Sequence, residues 1–404
     1  MQTMSKDNSD FQTQSVTASN RTDVRAHHEK LVLTFLRRHG AHSKAKIAHY
    51  TNLSSQAISV IIGKLENDGL LIKEKPVKGK VGQPSTPIAL KPDGAFSVGL
   101  RIGRRSADLT LIDFLGTLRA QKLVNYDYPT PDKIMSFVKK EFSPLISFLD
   151  ETKRDQLIGF GIGKPYELWN WLDRLQAPQN EMSQWKTFEI RKELSAFIDH
   201  EIIIENDASC ACLAEQIIGR GQTTKDFAYF FIGSFIGGGI VMNHKLFTGI
   251  SGNGGAFGSL PMGETLTNNS HQLIDYASIY LLEQRIKKDG RNPSMLWDGQ
   301  HEWSEIGDLL SDWVDVASAA LARASAGIEA VVDFPNIVIG GAVPPAVLDQ
   351  IVSQTEKAFG DLNKQGITRP EFSAGSAGPN ARAIGASLLP ISKRFLLETT
   401  EFNV

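Results

Sequence analysis

Two cysteines in 404 residues, Cys210 and Cys212, leave no room for a disulfide framework, and alone they cannot build an all-cysteine zinc site. The chain reads as one made for a reducing compartment, the cytoplasm. It lacks any run of about 18 apolar residues. Its first residues also lack a basic start followed by an apolar stretch, so neither a membrane span nor a signal peptide is expected. The nearest imitation of a span, residues 228–242, is uncharged but holds Gly233, Gly237, Gly238 and Gly239, and reads as strand, glycine turn and strand. Net charge is scarce too: 43 Lys and Arg against 45 Asp and Glu give −2, which excludes a histone-like polycation. What is present is ordinary for a globular protein. Hydrophobic residues are 41% and charged residues 22%, enough to bury a large core, and the length suggests two to three domains at roughly 100–200 residues each.

The charge balance is not uniform along the chain. Residues 21–105 carry a net +10 and residues 106–404 a net −11, the asymmetry of a basic module fused to an acidic body. Residues 1–26 are rich in Ser, Thr, Asn, Gln and Asp, with too little apolar surface to offset their ordering entropy, and are expected to be a disordered tail. From His28 the pattern turns helical: Leu31, Val32, Phe35 and Leu36 share one face, and Gly40 can end the helix. Ser43 suits the cap of a second short helix carrying Ile47. After a turn at Thr51-Asn52-Leu53, Ser54 caps a third with Ile58, Ile61, Ile62 and Leu65 inward. Two short helices across a tight turn form a helix-turn-helix. The outer face of its second helix presents Ser55, Gln56, Ser59 and Lys64, side chains that base edges and phosphates accept. Lys44 and Ser54 flank that face. Behind it, Lys73, Lys75, Lys78 and Lys80 alternate toward Gly82-Gln83-Pro84, and residues 87–90 can return as a partner strand. The whole reads as a β-hairpin wing whose tip touches phosphate or minor groove.

Lys91-Pro92-Asp93-Gly94 reads as a turn, so a boundary is expected near residue 92. Strand-like runs follow at 96–101, 107–112 and 118–124, then a helix at 131–149, a strand at 157–162 and a strand at 202–204 that leads through Asp207 into a helix. The order recurs: strands at 227–232, 239–242 and near Leu246, helices at 271–288 and 305–331, a strand at 337–339 and a helix at 344–360. Such a duplication suggests two α/β lobes with a cleft between them, where ligands usually sit.

The chain resembles the ROK family (repressor, open reading frame, kinase), in its repressor branch. The carriers are Leu53-Ser54, Gly69-Leu70, Gly82-Gln83-Pro84, Gly161-Ile162-Gly163, Glu205-Asn206-Asp207-Ala208, Gly237-Gly238-Gly239-Ile240, the glycine-rich run 252–258, and Ile337-Val338-Ile339-Gly340-Gly341. The resemblance runs from about residue 28 to 397. It implies an α/β chain: an N-terminal winged helix at 27–91, then a two-lobed actin-like, ribonuclease-H-like sugar-kinase fold at 92–404. One lobe would span about 92–206 plus a C-terminal helix at 380–397, the other about 207–379. Gln83 stands where the family often has Arg, which softens the groove contact expected of the wing.

The resemblance also sorts the chemistry. Family kinases hold ATP phosphate and magnesium at an Asp-x-Gly-Gly-Thr turn, where this chain reads Arg101-Ile102-Gly103-Arg104-Arg105-Ser106. The carboxylate is gone and Arg104 replaces a glycine that would let backbone N–H groups approach phosphate. An enzyme is therefore not expected, and no catalytic residue or cofactor is assigned. The sugar side is better kept: Asp207, the family's base, can accept hydrogen bonds from two hydroxyls, with Asn206 beside it. Gly255, Ser259 and Asp275 complete the expected sugar contacts. The glutamate and histidine usual in the next motif are Ala256 and Ser259, and the cysteine-rich zinc segment is replaced by residues 265–273 without cysteine, so no metal is expected. Tyr166, Trp169 and Trp171 either stack on a sugar or pack the lobe. The expected function is a cytoplasmic sugar-responsive regulator, a repressor of carbohydrate uptake or catabolism genes. Its partners would be a double-stranded DNA operator, a small sugar effector and a second copy of itself, with no membrane. The alternatives are a ROK sugar kinase with an altered phosphate turn, and a body that docks another protein.

Overall fold

The computed structural model describes residues 9–76, 85–170, 177–263, 271–297, 302–397 and 402, with the backbone alone for residues 9–22. The chain divides into two compact units, residues 1–94 with 392–404, and residues 95–391.

The first unit is built on three helices, α1 (Ser9–His39), α2 (Lys44–Thr51) and α3 (Ser55–Asn67). Helix α1 begins well before the expected start at His28 and occupies most of the stretch read as a disordered tail; residues 1–8 lie outside the described residues. No Gly or Pro interrupts the sequence before Gly40, and extending an existing helix is easier than nucleating one. Ser43 Oγ accepts the Lys46 N–H at 3.3 Å and Ser54 Oγ accepts the Ala57 N–H at 3.1 Å, so both short helices start where the sequence puts their caps. Asn52 adopts the left-handed conformation (φ 55°) that turns α2 into α3. Strands β1 (Leu71–Lys73) and β2 (Ile88–Leu90) pair antiparallel, and His42 bridges to Ile88. The connection, residues 77–84, lies outside the described residues. Phe35, Ile47, Ile58, Ile62 and Leu65 are all buried in the common core. The last residues belong here rather than with the body: the Leu397 N–H donates to Thr34 Oγ1 at 2.9 Å and Phe402 meets Phe35 edge-on at 5.2 Å.

The second unit holds two five-stranded sheets of matching topology, β5-β4-β3-β6-β7 and β10-β9-β8-β11-β12. The first comprises β3 (Phe96–Ile102), β4 (Ser106–Asp113), β5 (Leu118–Asn125), β6 (Leu157–Lys164) and β7 (Ile202–Asn206). The second comprises β8 (Phe227–Ile232), β9 (Gly237–Met242), β10 (Lys245–Leu246), β11 (Asn336–Gly341) and β12 (Glu371–Ala374). In each, an antiparallel meander is extended by two parallel strands. The duplication read in the sequence is therefore present, with β12 the element it missed. Helix α4 (Pro131–Ile146) covers the first sheet; α6 (Ile279–Lys288), α7 (Asp308–Val332) and α8 (Pro345–Asp361) belong to the second lobe, with Trp313 fully buried at its centre. The helix expected over 271–288 is broken at Ser278, whose hydroxyl donates to Ile274 O and accepts from the Ile236 N–H. Among the described residues no helix is long and apolar enough to cross a membrane.

Two helices, α5 (Asp207–Ile218) and α9 (Ala381–Phe395), pack against these sheets at backbone distance. A Cβ on Gly161 of β6 would lie 1.8 Å from Ala386 O, and one on Gly385 would lie 1.7 Å from Cys210 O. Cys210 and Cys212 are fully buried in α5, facing glycines of β6 and β9. Thus α5, which begins at the expected lobe boundary of residue 207, touches strands of both sheets.

Two outcomes follow for stability. Gly385→Ala sets a methyl against a carbonyl that cannot move independently and should cost about 1–3 kcal/mol or more, whereas Gly327→Ala in α7, with open space around its Cα, should gain about 0.5–1 kcal/mol; denaturant midpoints of the two variants check both. Glu329 of α7 is buried, and burial, then the neighbouring Asp333, pushes its carboxyl up to about 7. The folded state thus favours the protonated form, so this contribution to stability is complete below the ordinary carboxyl range and is lost as pH rises through about 7. Glu329→Gln should raise the melting temperature at pH 8 more than at pH 5.

Candidate functional site

In the first unit the outer face of α3 presents Ser55, Gln56 and Ser59 to solvent, opposite the buried Ile58, Ile61, Ile62 and Leu65. The Ser59 hydroxyl donates back to Ser55 O at 2.9 Å, and Ser54 is held by its capping bond. Lys64 departs from the expectation. Its ammonium lies 2.6 Å from Glu29 Oε2 of α1 and 3.2 Å from Asp68 Oδ2, and the hydrogen bond to Glu29 holds its pKa above the ordinary lysine value. It ties α3 to α1 instead of standing free for a phosphate. Lys73 likewise pairs with Glu66 at 3.1 Å. Lys44 is half-buried at the first turn of α2. Lys78, Lys80 and Gln83 lie outside the described residues. The residue that the sequence reading passed over is Val60, 60% exposed on the same face one step from Ser59. Its apolar side chain broke the polar pattern being sought, yet an exposed valine on an otherwise polar helix face is a fit for a thymine methyl.

The second unit holds a cavity of about 340 Å³ between its two sheets. Asn206, Asp207, Gly255 and Ser259, four of the five expected sugar contacts, line it together. The fifth, Asp275, is not among the lining residues: its Oδ2 accepts the Gln272 N–H at 2.9 Å, and Gln272 reaches the cavity in its place. Asn206 serves two ends. Its Oδ1 accepts the N–H groups of Ala208 and Ser209 at 2.9 and 3.3 Å, capping α5 and leaving its amide NH2 as the donor for a ligand. Asp207 follows in the first turn, where the helix dipole favours an anion. Its Oδ2 receives Arg382 from the first turn of α9 at 3.0 Å. Arg382 also lies over the Phe231 ring, 4.7 Å from its centroid, and burial lowers its pKa against the opposing pull of Asp207. No motif marked Arg382 in the sequence; only the fold brings residue 382 to residue 207.

The turn between β3 and β4 forms the opposite wall. Gly103 N–H donates to Ser106 O at 2.9 Å, so Arg104 and Arg105 sit at the tip of a tight hairpin. Arg101 turns inward to Asp108 Oδ2 and Ser106 Oγ, and the Tyr126 hydroxyl donates to Gly103 O at 2.8 Å. Burial pushes the Tyr126 hydroxyl above the ordinary phenol range, against the opposing pull of the nearby Arg101 cation. Arg104 lines the cavity, with its guanidinium 4.5 Å from the Tyr280 ring centroid and 5.6 Å from that of Phe235. Of the three aromatic residues flagged in the loop after β6, Tyr166 lines the cavity, Trp169 packs against the core of the first lobe, and Trp171 lies outside the described residues. Most of the segment expected to have lost a zinc site, residues 264–270, also lies outside them; His271 meets the Tyr276 ring edge-on at 5.9 Å.

The ROK family sequence profile matches residues 97–393. The xylose repressor of Bacillus subtilis (strain 168) is 21% identical over 60% of this chain and 62% of its own length. The DNA-binding transcriptional dual regulator NagC of Escherichia coli (strain K12) is 24% identical over 63% of each chain. The chain thus spans just under two thirds of these two relatives. Among solved structures, a ROK family transcriptional regulator described as a homologue of the E. coli MLC protein superposes with a TM-score of 0.63 over 92% of this chain and 96% of its own, at 17% identity. A ROK family glucokinase from Streptomyces griseus, in complex with glucose and AMPPNP, superposes with a TM-score of 0.56 over 73% and 99%, at 20% identity.

The Asp207–Arg382 pair sets a measurable expectation. Removing the guanidinium leaves a buried carboxylate uncompensated, at a cost of about 3–5 kcal/mol. Arg382→Ala should therefore destabilise the chain more than the double variant Arg382→Ala/Asp207→Ala does, a non-additivity that a thermodynamic cycle from chemical denaturation reads directly.

Proposed function

Because this chain belongs to the ROK family, we propose that it is a sugar-responsive DNA-binding transcriptional regulator, a repressor of carbohydrate uptake or catabolism genes released by a sugar or sugar derivative. The observation that carries this reading is the presence, in one chain, of a helix-turn-helix with an uncharged polar reading face and a sugar-kinase-like body whose cavity gathers Asn206, Asp207, Gly255 and Ser259. Base edges suit Ser55, Gln56, Ser59 and Val60, while phosphate contacts fall to Lys44 and to the wing lysines Lys78 and Lys80. A homodimer would present two such helices to half-sites one helical turn apart or a multiple of it. Sugar hydroxyls would be taken by Asp207, the Asn206 amide, Ser259 and Gln272, with Tyr166 and Phe235 offering rings to the apolar face of the sugar.

Phosphoryl transfer is the poorer reading. It demands a carboxylate to orient a metal and open backbone N–H groups to position the phosphates. The β3–β4 turn offers Arg101, already engaged by Asp108, and a closed hairpin with an arginine at its tip. The xylose repressor and NagC, which share this body, are regulators by name.

Fluorescence anisotropy on the DNA upstream of the chain's own gene, at low salt and with a panel of sugars, tests the proposal. Specific binding that one sugar weakens is expected. Gln56→Ala should weaken it by about 1–3 kcal/mol, and Val60→Ser should relax the preference for A·T at one position. The same sugar at 100 times its dissociation constant should stabilise the chain by about 2.7 kcal/mol in a thermal scan. Absence of any promoter binding, together with sugar-dependent ATP hydrolysis that disappears in Asp207→Ala, would replace the regulator by a kinase.

A further inference from the structure

Glu283, on the inward side of α6, is completely buried and answers three cations at once. Its Oε1 is bonded by Arg105 and lies 2.7 Å from Lys287; Arg104 stands 3.8 Å from Oε2, beyond hydrogen-bond reach. One carboxylate thus faces a local charge of three positives. Arg105 and Lys287 are partly exposed, so water solvates the charge that Glu283 leaves over. Arg104 has no such outlet. Its side chain is 9% exposed, its Nε and Nη1 are buried without a hydrogen-bond partner, and it lines the cavity. Burial first, and Arg105 second, lower its pKa, which marks a cation short of counter-charge. The other cavity cation, Arg382, is already matched by Asp207, and the other lining acid, Glu167, is engaged by the Asn170 amide at 2.5 Å.

We propose that the ligand of this cavity is an anionic sugar, carrying a phosphate monoester or a carboxylate that binds the Arg104 guanidinium while its hydroxyls meet Asp207 and Asn206. This deepens the reading above and rests on it, since it takes the cavity to be a sugar site. The rings of Tyr280 and Phe235 hold the guanidinium plane, and a cation that lines the cavity while its Nε and Nη1 lack hydrogen-bond partners fits the charge-assisted contact of an oxyanion. Arg104 comes from the first lobe and Glu283 from the second, so an anion at Arg104 competes with the Glu283 carboxylate across the cleft. The charge of the ligand is thereby read by the contact between the lobes.

Isothermal titration of the full chain with glucose, glucose 6-phosphate, glucuronate and the corresponding triads of mannose, galactose and N-acetylglucosamine, with inorganic phosphate and ATP as further arms, tests this. For at least one sugar, an anionic form should bind tenfold or more tighter than its neutral parent, and the phosphate and carboxylate arms tell which group is taken. Arg104→Gln should remove that preference, so that the anionic sugar binds no tighter than its neutral parent. Arg104→Lys, which keeps the charge if the glutamine variant does not fold, should retain part of the preference. Glu283→Gln, which frees Arg104 of its competitor, should tighten the anionic sugar further, an effect that a merely structural role for the pair would not produce. Equal or tighter binding of neutral sugars, a preference untouched by Arg104→Gln, or tight binding of ATP in place of any acidic sugar overturns the proposal and leaves a sugar-sensing body intact. Failure of every sugar, neutral or anionic, overturns this proposal and the sugar-responsive function together.

Discussion

The approach of α9 to β6 and α5 at backbone distance is the constraint on which the rest of the body depends. Gly161 and Gly385 leave no side chain between the elements, so the position of α9 is fixed by contact of carbonyls and Cα atoms rather than by flexible side chains. That fixes where α9 begins, and its first turn carries Arg382. The cap made by Asn206 fixes where α5 begins, and its first turn carries Asp207. The ion pair that forms the floor of the cavity is therefore a consequence of two helix starts, each set by local chemistry, brought together by two glycines 224 residues apart in sequence. Thr110 and Ser387 reinforce the crossing with a buried hydroxyl contact at 2.7 Å between β4 and α9.

Charge is distributed by this architecture in a way that segment sums conceal. The basic stretch of residues 21–105 looks like one nucleic-acid-binding block, but Arg101, Arg104 and Arg105 at its end belong to the second unit and point into it. Lys64 and Lys73, within the first unit, are tied to Glu29 and Glu66. What the helix-turn-helix turns outward on α3 is consequently close to neutral. Under the proposed function, electrostatic attraction to a phosphate backbone would come from elsewhere in the unit, while α3 would supply shape and hydrogen bonds. The separation of the two tasks is ordinary for DNA readers, in which phosphate contacts position and base contacts specify.

How far the sequence disclosed this is decided by whether a feature is local. Caps, periodic apolar faces and glycine turns act over a few residues, so Ser43 and Ser54 announced their helices and the strands of both sheets except β12 appeared within a few residues of their ends. The duplication was visible because both halves repeat the same local order. Strand β12 escaped notice since four residues, Glu371–Ala374, carry too little pattern to stand out, and it pairs only by virtue of β11 beside it. In the cavity, Asn206 and Asp207 were legible because adjacency in sequence is adjacency in space. Arg382 and Gln272 were not, because their place beside Asp207 is created by long-range packing. Asp275 was expected because it stands where the family has a glutamate, but its carboxylate accepts the Gln272 N–H and it is Gln272 that lines the cavity. Lys64 misled because a surface lysine on a reading helix has the same local signature whether or not a glutamate of another helix lies above it.

Two fully buried glutamates of the body, Glu215 and Glu283, show what sort of contact can change with ligand. Glu215, fully buried in α5, accepts the backbone N–H groups of Arg220, Ser376 and Ala377. Those donors are parts of the main chain, fixed by the fold, and their bonds satisfy the carboxylate without a counter-ion; such a group holds a loop in one place. Glu283, equally buried, is met only by the ends of three long cationic side chains. The partly exposed Arg105 and Lys287 can each rotate away at the cost of one ion pair, because two other cations remain beside the carboxylate. An arrangement with more cations than anions is thus stable in more than one configuration. A contact between lobes that is to respond to a small molecule needs that property, since a ligand can shift only an equilibrium whose states already differ little in energy.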